Sequence, residues 1–202
     1  MKRFSLAIIF VCCTLAMAAQ ETIKVKYQGA SPTISDFVST FVSSRHDDED
    51  DCADESFNAL KQAWEKQRKG LSLNEWETLT VDQKNGYVCY ESKPDENMLR
   101  VEMCYWNEAD GKHKLFAYNV AMFKDGIHDP GQFDGLSFLR YNNASKTMSW
   151  VEAPGFDVEF SRDGAFVSYA LPRTGKNIIV TTWYKNGPKE RLLKWNGRKF
   201  SF

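Results

Sequence analysis

After residue 78 the chain is broken by seven Asn-Gly or Asp-Gly pairs, at 85–86, 110–111, 125–126, 134–135, 163–164, 186–187 and 196–197. Such pairs reach the positive φ angles that tight strand connections require. Between them run short stretches that alternate in polarity or are rich in β-formers. The pattern predicts strands near 78–82, 87–92, 98–106, 114–123, 136–142, 147–151, 157–161, 165–171, 177–184, 189–195 and 198–202, a long antiparallel meander. In "KLFAYNVAMF" both alternating sets are apolar (Leu115, Ala117, Ala121, Phe123 and Phe116, Tyr118, Val120, Met122), which predicts a central strand covered on both faces. "DVEF" and "RLLKW" carry charged alternates and suit half-exposed or edge positions.

The chain before this meander has a different texture. Residues 23–27 alternate weakly, as an edge strand or a lead-in would. "SPTISDFVSTFVSS" offers Ser31 as an N-cap, Pro32 at the first helical position and Ile34, Phe37, Val38, Phe41 and Val42 at helical spacing, so a helix is expected over 32–43. A second helix is expected from Cys52 to Lys69, where Ala53, Phe57, Leu60, Ala63 and Trp64 form an apolar stripe, acids lead, bases follow and Gly70 ends the run. Ser72 and Glu75 have capping-box spacing. The expected fold is α+β: a curved or sandwich-like antiparallel sheet with two N-terminal helices packed on it.

Residues 1–18, "MKRFSLAIIFVCCTLAMA", place Lys2 and Arg3 before an apolar run and end on Ala16-Met17-Ala18, the small-x-small pattern of a cleaved signal peptide. The run is too short for a spanning helix, which needs about 20 apolar residues. The expected product is one secreted domain, 19–202, with a mainly helical segment to residue 77, the sheet from 78, and no integral membrane segment. Cleavage removes two cations and no acid, leaving 24 basic against 27 acidic residues. That balance argues against nucleic acid as a partner.

Three of the five cysteines lie beyond the signal segment: Cys52, Cys89 and Cys104. In an oxidising compartment three cysteines suggest one disulfide and one thiol left over. A hairpin looped at Pro94–Asn97 pairs Glu91 with Arg100, Tyr90 with Val101 and Val88 with Met103. It leaves Cys89 and Cys104 on a diagonal, about 7–8 Å apart and too far for an easy bond. Cys52 is therefore the expected partner of one of them.

Chemistry-bearing motifs are sparse. The acidic run "HDDEDDCADE", 46–55, has Cys52 where a calcium loop needs glycine and Asn58 where it needs a bidentate glutamate, so it reads as a solvated loop followed by a helix start capped by Asp51. His46, His113 and His128 have no second histidine or cysteine at zinc spacing, and no metal or cofactor is expected. "GLSFL", 135–139, lacks the second glycine of a nucleophile elbow. The loop "KDGIHDPGQFDG" gathers His128, Asp125, Asp129 and Asp134 among turn formers, and with Trp106 and Trp150 these are the candidate ligand-binding residues. The catalytic alternative is a hydrolase using a carboxylate pair or a free cysteine.

At "YVCYES" (87–92), "EMCYWN" (102–107), "ALPRTGKNIIVTTW" (170–183) and "LLKWNGRKF" (192–200) the chain resembles a family of uncharacterised exported proteins of Bacteroidetes gut bacteria. The likeness covers most of residues 80–202 and rests on turn-and-strand phrases. It implies a periplasmic or cell-surface location and supplies no functional residues. The expectation is a non-enzymatic binding module that holds a protein, peptide or glycan.

Overall fold

A computed structural model describes residues 22–44, 55–131, 134–158, 161–162 and 165–202. The signal segment, Cys52 and the acidic run through Asp54 lie outside the described residues. The elements are β1 (Thr22–Lys24), α1 (Ile34–Ser44), α2 (Glu55–Arg68), β2 (Glu77–Asp82), β3 (Tyr87–Ser92), β4 (Asn97–Asn107), β5 (His113–Lys124), β6 (Ile127–His128), β7 (Gly135–Asn142), β8 (Thr147–Val151), β9 (Ser161–Arg162), β10 (Ala165–Ala170), β11 (Ile178–Tyr184), β12 (Gly187–Trp195) and β13 (Phe200–Ser201). The fold is α+β and antiparallel throughout. One sheet runs β1-β8-β7-β5-β4-β3-β2 with β6 added to β5, and a second runs β13-β12-β11-β10-β9.

The two sheets and the helices form three layers. On one face of the first sheet Val88, Tyr90, Val101, Met103, Phe116, Val120 and Leu139 pack under α1 and α2. On the other face Cys104, Trp106, Leu115, Ala117 and Phe138 meet Val167, Tyr169, Ile178, Val180 and Leu193 of the second sheet. This is why β5 is apolar on both faces: it lies between β4 and β7 and contributes Phe116 and Tyr118 to one core, Leu115 and Ala117 to the other. The pattern fails only at the strand's end, where Met122 is exposed. Each fully buried large apolar side chain contributes roughly 1.5–3 kcal/mol, so the Phe37 and Phe41 rings, packed on Phe116 and Tyr141 among others, are a large part of what holds α1 down.

Several local expectations are corrected. The cap of α1 is Thr33, not Ser31: Thr33 N and Oγ1 donate to Asp36 Oδ2 at 2.8 and 2.7 Å, and Asp36 takes the place of the capping-box glutamate. The Ser72–Glu75 box does not form. The chain instead turns at Asn74, whose N donates to Glu77 Oε2 at 3.0 Å and whose carbonyl accepts from Glu77 N, and it enters β2 without a helix. Asp157 and Val158 are outside any strand, residues 159–160 of the expected strand lie outside the described residues, and Ser161 belongs to β9. The end of α2 follows expectation: Leu71 N donates to Lys66 O and Gly70 N to Gln67 O, with Gly70 at φ +69.

The β3–β4 register is as expected, with Glu91 opposite Arg100, Tyr90 opposite Val101 and Val88 opposite Met103. Arg100 Nε donates to Glu91 Oε1 at 2.8 Å. Cys104 stands opposite Tyr87 and Cys89 opposite Glu102. Among the described residues Cys89 and Cys104 are free thiols, and Cys52, the partner expected for one of them, lies outside the described residues.

Candidate functional site

A concavity lies where β7 begins and β8 ends. Beyond Val151 the chain makes a turn at Pro154-Gly155, closed by Phe156 N donating to Ala153 O at 3.0 Å and fastened to the second sheet by Phe200 N donating to Pro154 O at 2.8 Å. Gly155 has φ +72, and a Cβ there would stand 2.3 Å from the Phe200 carbonyl oxygen, so the turn can sit this close to β13 only as glycine. The Phe156 ring packs on Phe138 at 5.0 Å between centroids and on Tyr169 at 5.7 Å. Between this fixed turn and the sheet lies a groove of about 730 Å³ lined by Phe138, Trp150, Val151 and Phe156, with Ser137 and the exposed acids Glu152 and Asp157. Ligand pockets typically fall between about 300 and 1,000 Å³ and pair apolar walls with a few polar groups.

Of the residues singled out in the sequence, Trp150 alone lines this groove. Its ring also meets Phe41 of α1 at 5.9 Å, which anchors one side of the groove to the helical layer. Trp106 is a core residue, donating Nε1–H to Lys176 O at 3.1 Å and packed on Trp195 and Phe200.

The loop after β5 divides its four candidates. Asp125 (φ +52) and Gly126 (φ +77) make the tight β5–β6 turn, and Asp125 and Asp129 are exposed. His128 and Asp134 instead turn inward, their side chains only 1% exposed, with His128 Nε2 at 3.0 Å from Asp134 Oδ2. The same Oδ2 accepts from Met122 N at 2.9 Å. Phe123 and Trp183 flank the imidazole at 5.7 and 6.2 Å, and Trp183 Nε1 donates to Ser168 Oγ. Among the described residues His128 Nδ1 and Asp134 Oδ1 are buried without a hydrogen-bond partner. The pair closes the loop onto β5 and offers no exposed polar atom.

Among the thiols and carboxylates packed inward, Cys104 and Glu102 are buried and Cys89 is half-buried. Glu102, 3% exposed, accepts from Tyr87 Oη at 2.7 Å, Asn119 Nδ2 at 3.1 Å and Leu171 N at 3.2 Å. Burial pushes its carboxyl above the usual range, against the pull of those donors and of Arg100. Burial, with the Glu102 charge second, raises the Cys89 thiol to about 12 and Cys104 well above its ordinary value. Thiols held this way are protonated at neutral pH and poor nucleophiles. Glu102's partners are all donors, with no second carboxylate among them.

A polar cluster that sequence inspection had not singled out joins the β4–β5 turn to β7. Glu108, Asp110 and His113 present ligand-type atoms within 4.8 Å of one another. Arg140 already lies among them, donating Nε–H to Glu108 Oε1 at 2.7 Å and approaching Asp110 at 3.6 Å. Asp110 is held at about 2, first by its 2.5 Å contact with His113 Nδ1 and then by the Lys112 N–H. The guanidinium supplies the positive charge that a metal would, so the arrangement is that of an ion-pair network tying a turn to a neighbouring strand.

Comparison of the chain with protein-family models, with curated proteins and with solved structures finds no match in any of the three. The groove residues Phe138, Phe156, Glu152 and Asp157 were not singled out in the sequence. The available signal was the "EAPGFD" stretch, 152–157, a Pro-Gly turn carrying an aromatic and two acids at the end of a strand.

Proposed function

We propose that the protein is an exported, non-enzymatic binding module of the bacterial cell envelope, and that it holds a peptide or glycan in the groove between the β7–β8 end and the Pro154-Gly155 turn. The observation that carries this reading is the groove itself: about 730 Å³, lined by Phe156 and Val151 from one face of the first sheet and Trp150 from the other, with polar and acidic groups at hand and a wall fixed by the Phe200–Pro154 hydrogen bond. A pre-formed wall lowers the ordering cost of binding. The signal pattern of residues 1–18 supports export, and among the described residues no helix is long and apolar enough to cross a membrane. The hydrolase alternative loses support because Cys104 is buried, the half-buried Cys89 thiol is raised to about 12, and Glu102 accepts only from donors.

The test is a binding screen of the purified chain on peptide and glycan arrays, run beside Ser137→Trp. Ser137 is an exposed groove residue on β7, so a tryptophan there fills the groove while leaving the core intact. Capture by the wild type and its loss in the variant is expected. Equal capture by both proteins places the ligand elsewhere and contradicts the proposal.

A further inference from the structure

We infer that the occupant of this groove is a peptide bearing lysine or arginine, its cation set between Glu152 and Asp157 and its stem laid on Val151 and Phe156. The inference rests on the binding reading above and adds the chemistry of the ligand. Glu152 and Asp157 line the groove, and among the described residues no lysine, arginine or histidine does. Among the described residues neither acid takes part in an ion pair or hydrogen bond, whereas Glu77, Asp82, Glu91, Glu108, Asp110 and Asp134 are each engaged by a cation or an imidazole. Two unengaged carboxylates in one concavity leave a local negative field, and complementary charge both steers a ligand in and fixes its register.

The apolar half of the groove sharpens the choice. Val151 and Phe156 present aliphatic and aromatic surface beside the acids, on the face of the first sheet opposite the Trp150 ring. A lysine or arginine side chain matches that combination, since its methylene stem covers apolar surface while its head seeks carboxylate or a ring face.

The experiment is isothermal titration of the whole chain with three blocked peptides of one apolar sequence, carrying at the centre lysine, arginine or acetyl-lysine, with a neutral oligosaccharide as a fourth probe. The lysine and arginine peptides are expected to bind, with acetyl-lysine weaker by at least tenfold and affinity falling as salt rises. Glu152→Gln with Asp157→Asn, both exposed and without partners, should weaken the cationic peptides by at least fivefold with an unchanged melting temperature. Equal binding of acetyl-lysine peptide, or preference for the oligosaccharide, overturns the cation claim and leaves the binding module standing. Binding of none of the four probes overturns the claim too, and the array screen then decides whether the module reading falls with it.

Discussion

Glu102 occupies the position hardest to explain by packing alone, an acid in the middle of an apolar strand facing the second sheet. Its neighbours supply the reason. β9 pairs with β10 only at Ala165 and Phe166; further along, Leu171 N donates to Glu102 and Tyr169 O accepts from Asn119 Nδ2. Two buried side chains of the first sheet thus satisfy backbone groups that a neighbouring strand would otherwise take. Because burial holds the Glu102 carboxyl above 4.5, the folded state binds its proton more tightly than the unfolded chain. Its contribution to stability is complete below the unfolded value and is lost as pH rises through the folded one. Glu102→Gln keeps the shape, can turn its amide nitrogen to the Tyr87 hydroxyl, and removes the titration. The melting temperature of the variant relative to the wild type should therefore rise between pH 4.5 and neutrality, and a difference independent of pH would contradict this. Glu102→Ala, which strands Leu171 N and the Tyr87 hydroxyl, should cost about 2–4 kcal/mol in denaturant unfolding. At the groove, Gly155→Ala meets both a positive φ and the Phe200 carbonyl, and a loss of about 1–3 kcal/mol is expected; an unchanged unfolding midpoint would show that the turn is not fastened as described.

At the scale of the element, much was legible because period and turn chemistry agreed. Six of the Asn-Gly and Asp-Gly pairs fall among the described residues, and each lies at a strand connection or at the start of a strand. The β3–β4 register could be read because a one-residue slip would have put Glu91 and Arg100 on the apolar face. Less legible were features decided by contacts distant in sequence. Thr33 caps α1, although Ser31 had looked equal to the task, because only Thr33 is spaced to share a box with Asp36. Thr33→Ala should cost about 1 kcal/mol of stability by chemical denaturation, whereas Ser31→Ala should change nothing measurable. The strand expected at 157–161 gave way over Asp157 and Val158 to the groove segment, which the Phe200–Pro154 bond holds in place from the far end of the chain.

For the whole molecule, the three layers place Cys104 in the core between the sheets and Cys89 half-buried beside it, both as free thiols among the described residues. Cys52, to which spacing and compartment assigned a bond, lies outside the described residues. Alkylation under denaturing, non-reducing conditions, read by peptide mass mapping, should find Cys89 and Cys104 modified; either one in a disulfide contradicts the structure. The candidate site was only half visible. Trp150 could be named from composition, but the groove exists because a turn after β8 is fastened to β13, a meeting that no local pattern announces. The loop around His128, conspicuous in sequence, folds its histidine and Asp134 inward and serves to close β6 onto β5.

The groove's role is open to a site-resolved measurement: amide NMR of the isotope-labelled chain titrated with the lysine-bearing peptide. Shifts confined to residues 136–138 and 150–157, with the loop at 125–131 and the exposed face around Ile179 and Leu192 unmoved, are the expected result. Shifts centred on His128 and Trp183, or spread over the second sheet and absent from the groove, would contradict it.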